Sequence, residues 1–162
     1  GQTIANKLAP WNAKIVYHSR NKKGVAYTYY ENLTEMAKDC DVLICITPGG
    51  PSTDKIVNSQ VMEALGPNGT LINVSRGSVV DEAALIDALK SGKLGWAGLD
   101  VFESEPTVPG ALRDLPNTVL LPHVGSGTVE TRVAMGDLTV DNLLNHLKDG
   151  TVISAVPECA HL

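Results

Sequence analysis

Positive charge is in short supply in this sequence. Thirteen Lys and Arg face eighteen Asp and Glu, for a formal net charge of -5. That balance offers no broad basic surface to a phosphate backbone or an anionic membrane, so neither nucleic acid nor a membrane is an expected partner. Long apolar runs are also missing. No stretch approaches the roughly 20 residues of a spanning helix, and the N-terminus lacks the charged-then-apolar layout of a signal peptide. A soluble protein is expected. Cysteine is scarce: Cys40, Cys45 and Cys159 form no C-x-x-C pair, and Cys45 sits inside the apolar run Val42-Leu43-Ile44-Cys45-Ile46, where a thiol reads as core. Free thiols suit a reducing cytosol, and the expected location is cytoplasmic. His18, His123, His146 and His161 show no ligand spacing with the cysteines, so no metal site is expected.

What is present is an alternation. In 162 residues, 43% of them hydrophobic and 19% charged, there is enough chain for one domain with a sizeable core and too little for two full ones. Short β-rich runs at 14–17, 41–47, 70–75, 95–101 and 118–121 alternate with helical periodicity at 33–38, 59–65, 82–90 and about 129–148. Such a pattern predicts an α/β fold with a doubly wound, Rossmann-like parallel sheet, its strands apolar enough to be covered on both faces. Asp81 is the expected N-cap of the third of these helices. In the last, Val129, Val133, Ala134, Leu138 and Leu147 form an expected core-facing stripe, although Gly136 weakens it. The one long loop, 103–117, contains Pro106, Pro109 and Pro116; long loops in compact domains are more often functional than idle.

The chain opens as a helix already under way, Gly1-Gln2-Thr3-Ile4-Ala5-Asn6-Lys7-Leu8. In a dinucleotide-binding unit a strand and a glycine-rich turn precede such a helix, and Gly1 is placed to be the last glycine of that turn. The expected organisation is thus a dinucleotide-binding domain over 1–150, lacking its first strand, and a segment over 151–162 returning toward a substrate lobe. The run Val152-Ile153-Ser154-Ala155-Val156-Pro157 is expected to pack that way. Taken alone, these residues are expected to have no appreciable activity.

Three segments carry chemistry: Asn73-Val74-Ser75-Arg76-Gly77-Ser78-Val79-Val80-Asp81-Glu82, Gly98-Leu99-Asp100-Val101-Phe102-Glu103-Ser104-Glu105-Pro106, and Leu121-Pro122-His123-Val124-Gly125-Ser126-Gly127-Thr128. Each comes after a predicted strand, so Arg76, Glu105 and His123 are expected at the carboxyl edge of the sheet, where ligands of open α/β folds bind. Together and in this order they resemble the D-isomer-specific 2-hydroxyacid dehydrogenases, most nearly their glyoxylate and hydroxypyruvate reductases, over nearly the whole chain. The resemblance implies reduction of a small 2-oxo acid to a D-2-hydroxy acid with a nicotinamide cofactor, by a homodimer.

That reaction needs a cation for the substrate carboxylate, an acid for the carbonyl oxygen and a hydride donor. Arg76 offers a planar fork that grips a carboxylate through two parallel hydrogen bonds, the role the resemblance assigns it. His123 is the best proton donor, since an imidazole ordinarily titrates near ~6.5. Glu105 is expected to pair with it, orient the ring and favour the imidazolium. For the cofactor, the resemblance implies contacts at Thr47, Pro48, Val74, Ser75, Gly125 and Ser126, with the nicotinamide amide against Asp100. The two glycines in Thr47-Pro48-Gly49-Gly50-Pro51-Ser52-Thr53 depart from the family pattern.

At the end of the second strand of the unit a carboxylate usually binds the ribose hydroxyls of NAD. None stands in Tyr17-His18-Ser19-Arg20-Asn21-Lys22-Lys23. Ser19 and Arg20, with His18 beside them and Lys22 or Lys23 adding positive field, point to the 2′-phosphate of NADP in preference to NAD. Two other readings share the motifs: a nucleotide-sensing interaction protein similar to the corepressors built on this fold, and a non-catalytic dimerising fragment.

Overall fold

A computed structural model describes residues 1–156 and Cys159. Pro157 and His161 lie outside the described residues. The chain divides into two compact units, Gly1–His123 and Val124–Leu162.

In the first unit the helix α1 (Gln2–Leu8) precedes two short strands, β1 (Val16–His18) and β2 (Thr28–Tyr30), which pair in parallel. Next come α2 (Leu33–Lys38), β3 (Val42–Cys45), α3 (Ser59–Leu65), β4 (Thr70–Asn73), α4 (Glu82–Ser91), β5 (Trp96–Leu99), α5 (Gly110–Arg113) and β6 (Thr118–Leu120). Strands β3 to β6 form a second, wholly parallel sheet in chain order, with Val42, Thr70 and Trp96 in one register row and Ile44, Ile72, Gly98 and Val119 in another. Asn32, Asn58 and Asp81 start α2, α3 and α4 by accepting backbone N–H bonds on their side chains, which satisfies donors that have no partner inside the helix.

Chain order explains the core. Crossovers between parallel strands are right-handed, so a sheet that grows steadily in one direction places its connecting helices on one face. Leu43, Cys45, Leu71, Ala97 and Leu99 point to that face and are buried with Val61, Met62, Leu85 and Leu89 from α3 and α4. The alternate residues are not: Val42, Trp96 and Val119 are 47%, 55% and 64% exposed. Burial on both strand faces, expected from the continuous apolar runs, is therefore realised on one. Burial raises the Cys45 thiol to about 12 and keeps it unreactive. Strand β2 and the short α5 inside the long loop have no counterpart in the periodicity, because three or four residues are too few to display one.

The second unit is built on α6 (Val129–Asp149), capped by the Thr128 hydroxyl at its start and by Gly150 in the left-handed conformation at its end. Asn142 folds the adjoining tail onto it, accepting from the Ile153 and Ser154 N–H groups and donating to the Ser154 hydroxyl. The expected core-facing stripe needs correction: Val129, Val133, Ala134, Leu138 and Leu147 are all exposed. One helix with a short tail has no second layer under which to bury them. Among the described residues, no helix is long and apolar enough to cross a membrane.

Candidate active site

All strands of β3–β6 run in parallel, so the loops after them emerge at one edge. There an open groove of about 980 Å³ is lined by residues 46–50, 74–78, 102, 103, 105 and 123. It brings together the three residues expected to carry chemistry. His123 Nδ1 lies 2.7 Å from Glu105 Oε2, while Glu105 Oε1 accepts the Phe102 N–H at 3.0 Å. Both carboxylate oxygens are therefore occupied, and Nε2 is the imidazole nitrogen left for a substrate. The His123 bond, then the Phe102 N–H, lowers the Glu105 pKa below its ordinary value, and the Arg76 charge adds to this. A depressed carboxyl contributes its pairing above its ordinary pKa and loses it only as pH falls through the lowered value, so Glu105 stays ionised and able to pair through neutral pH. His123 is held at φ 55, a left-handed conformation that few non-glycine residues adopt and that clusters at functional sites.

Arg76 is presented by a turn that the buried Asn73 organises. Its side-chain oxygen accepts from the Ser75 N–H at 3.0 Å and the Ser75 hydroxyl at 2.7 Å, and its amide donates to the Arg76 carbonyl at 3.0 Å. The guanidinium donates once, to the Ser75 carbonyl, and forms no ion pair among the described residues. Most of its fork is thus available to an anion. Along the same edge lie Thr47, Pro48, Val74 and Ser75. Among the described residues, Thr47 Oγ1 is buried without a hydrogen-bond partner, a cost unless a ligand supplies one. Asp100 is buried directly beyond β5, its N–H bonded to the Asn73 carbonyl. Gly1 caps α1 and sits so near Ile46 that a Cβ on it would fall 2.9 Å from the Ile46 side chain. Gly125 and Ser126 belong to the second unit, ahead of α6.

The family profile of the NAD-binding domain of D-isomer specific 2-hydroxyacid dehydrogenases matches residues 1–125. The chain belongs to this family. It is 49% identical over 157 residues to the hydroxyphenylpyruvate reductase of Plectranthus scutellarioides and 50% identical to a glyoxylate/hydroxypyruvate reductase A of Arabidopsis thaliana, in each case over 96% of this chain and 50% of the relative. Among solved structures, it superposes with a TM-score of 0.95 and 52% identity on the NADPH-dependent glyoxylate/hydroxypyruvate reductase of Sinorhizobium meliloti in complex with NADP and malonate, covering 98% of this chain and 50% of that one. The chain spans about half the length of the curated relatives it matches.

In this member of the family, the turn after β1 is laced from both sides. The Tyr17 hydroxyl donates to the Lys23 carbonyl and accepts the Lys23 N–H, and the Tyr29 hydroxyl donates to the Ser19 carbonyl. Arg20 donates to the Ser52 hydroxyl at 3.0 Å, joining the turn after β1 to the loop after β3. His18 Nδ1 lies 3.0 Å from the Tyr30 carbonyl, so one ring nitrogen is committed to its own sheet.

Sequence reasoning passed over Asn73 and Gly77. The signal for Asn73 was an amide closing an apolar strand, where an unpaired polar group would be expensive. Gly77 gave none, because its requirement is a long-range contact. A Cβ there would overlap the Phe102 carbonyl and lie 2.5 Å from the Glu103 nitrogen. The Arg76 loop and the Glu105 loop thus meet backbone to backbone. Gly77→Ala is expected to cost about 1–3 kcal/mol of stability by forcing the two loops apart, and to lower kcat/KM because Arg76 and Glu105 separate. Thermal unfolding and steady-state kinetics of the variant check both; an unchanged Tm would mean the loops yield without cost.

Proposed function

We propose that this chain is the coenzyme-binding part of an NADPH-dependent reductase that converts a small 2-oxo acid, glyoxylate or hydroxypyruvate in character, to a D-2-hydroxy acid. The observation that carries the reading is one groove holding an available arginine fork and a histidine whose rear nitrogen is already engaged by a carboxylate. Arg76 binds the substrate carboxylate and fixes the direction of the carbonyl. His123, oriented by Glu105, passes a proton from Nε2 to the carbonyl oxygen as that oxygen gains negative charge. When bound, the dihydronicotinamide supplies the hydride to the carbonyl carbon. The residues present fit such a cofactor: the Thr47 hydroxyl, orphaned among the described residues, needs a polar partner, and Arg20 in the turn after β1 forms no ion pair among them. The NADP-bound Sinorhizobium relative supports the same coenzyme. Pro48, Val74, Ser75 and Asp100 are proposed to contact it along the groove, with Gly1, His18, Ser19 and Arg20 as further contacts.

The proposal extends to organisation: residues 1–150 act as the dinucleotide-binding domain, 151–162 lead toward a substrate lobe, and the whole protein is a cytoplasmic homodimer. Exposed Leu143, Leu144 and Leu147 on α6 support a further covering surface. Purified full-length protein is expected to oxidise NADPH with glyoxylate or hydroxypyruvate, with kcat/KM at least about tenfold above that for NADH, the effect of one well-placed charge contact. Coenzyme binding without turnover of either acid would overturn the enzymatic reading in favour of a nucleotide-sensing protein.

A further inference from the structure

The contact between Arg20 and Ser52 is 32 residues long in sequence and 3.0 Å long in space. Arg20 forms no ion pair among the described residues, so a neutral hydroxyl holds the guanidinium and its charge stays uncompensated. Ser52 accepts that bond on Oγ, which leaves its own hydroxyl hydrogen to donate elsewhere. Ser19 differs: its hydroxyl donates to the Asn21 carbonyl at 2.6 Å and is spent within its own turn. Beside Arg20, the uncommitted hydroxyl donor is therefore Ser52.

Both partners sit on braced backbone. Tyr17 and Tyr29 fasten residues 19–23 through their hydroxyls. On the other side the Thr53 hydroxyl donates to the Pro48 carbonyl at 2.7 Å, and the Thr53 N–H bonds the Gly50 carbonyl at 3.0 Å, with Gly50 at φ 121. A positive φ of that size favours glycine, so the second glycine of the loop permits the tight turn that delivers Ser52.

We propose that Ser52 is a specificity-determining residue for the coenzyme: its oxygen aims Arg20, and its hydroxyl proton is donated to the same 2′-phosphate that Arg20 binds. The phosphate is thereby read by two loops, one after β1 and one after β3. This rests on the proposed preference for NADP. The departure of 48–53 from the family pattern acquires a role in coenzyme choice.

The test is equilibrium binding of NADP+ and NAD+ to the full-length protein, by calorimetry, with no substrate present. Ser52→Ala is expected to weaken NADP+ roughly tenfold, the worth of a hydrogen bond to a charged group, while NAD+ affinity stays within about twofold. Ser52→Thr, which keeps the hydroxyl, should restore most of the loss. On an Arg20→Ala background, Ser52→Ala should cost markedly less than alone, because the pair acts as a unit. Equal weakening of both coenzymes by Ser52→Ala would assign Ser52 a merely structural part in its loop and overturn the inference. So would an unchanged NADP+/NAD+ ratio in a protein whose preference Arg20→Ala abolishes. If the unmodified protein binds both coenzymes equally and Arg20→Ala changes neither, the NADP reading itself fails.

Discussion

Replacing His123 by asparagine is expected to lower kcat for 2-oxo acid reduction about 10²- to 10⁴-fold, or about 3–5 kcal/mol in the barrier, while NADP+ affinity changes little. The proton is needed only as charge develops on the carbonyl oxygen, so its loss falls on the transition state rather than on the ground-state complex. Asparagine is the informative substitution because His123 sits at φ 55, a conformation asparagine tolerates better than alanine. A His123→Ala variant would mix lost chemistry with backbone strain. Glu105→Gln should act more mildly and in a different way. The bond to His123 is the largest cause of the lowered Glu105 pKa, and glutamine keeps an acceptor there without the charge. The kcat of Glu105→Gln should therefore fall less than that of His123→Asn, because the amide still holds Nδ1 and the proton donor stays in place. Near-normal turnover by His123→Asn at neutral pH would remove the proton-donor assignment.

Replacing Arg76 by methionine is expected to reduce kcat/KM for the 2-oxo acid about 10²- to 10³-fold, as loss of a bidentate, charge-assisted pair with the substrate carboxylate does. The side chain is held in place by the turn that Asn73 organises and by the Ser75 carbonyl at 2.6 Å, and Gly49 leaves room for it, since a Cβ there would come within 2.9 Å of the Arg76 Cγ. Lysine should recover only part of the loss, because a single ammonium cannot reproduce the two parallel bonds that fix the carbonyl's direction. The distinguishing measurement compares a substrate with a carboxylate against a neutral carbonyl analogue. The Arg76→Met penalty should nearly vanish for the analogue. An equal penalty for both would assign Arg76 to the architecture of the groove.

How much of this was legible in the residues depends on the range of each interaction. Apolar periodicity and end residues are local, so the helix 33–38, the helix 59–65 and the Asp81 cap stand where the sequence puts them. The shared placement of Arg76, Glu105 and His123 was legible because each follows a strand, and parallel strands deliver their outgoing loops to one edge. Strand β2 was not legible, since three residues carry no period. The apolar stripe of α6 was read correctly as apolar and wrongly as buried, because hydrophobicity states a need for cover without naming the element that covers it.

By itself, the sequence determined the alternating α/β layout, the absence of a carboxylate after β1, and the identities of the arginine, glutamate and histidine that meet at the edge. Only the tertiary structure decided which atoms meet. That Glu105 spends one oxygen on His123 and the other on Phe102, that Gly77 is required by the backbone of a loop some 25 residues on, and that Arg20 reaches Ser52 are facts of long-range geometry. Side-chain type sets what an atom can bind; the crossovers of the sheet set which atom, remote in the chain, comes within about 3 Å of it.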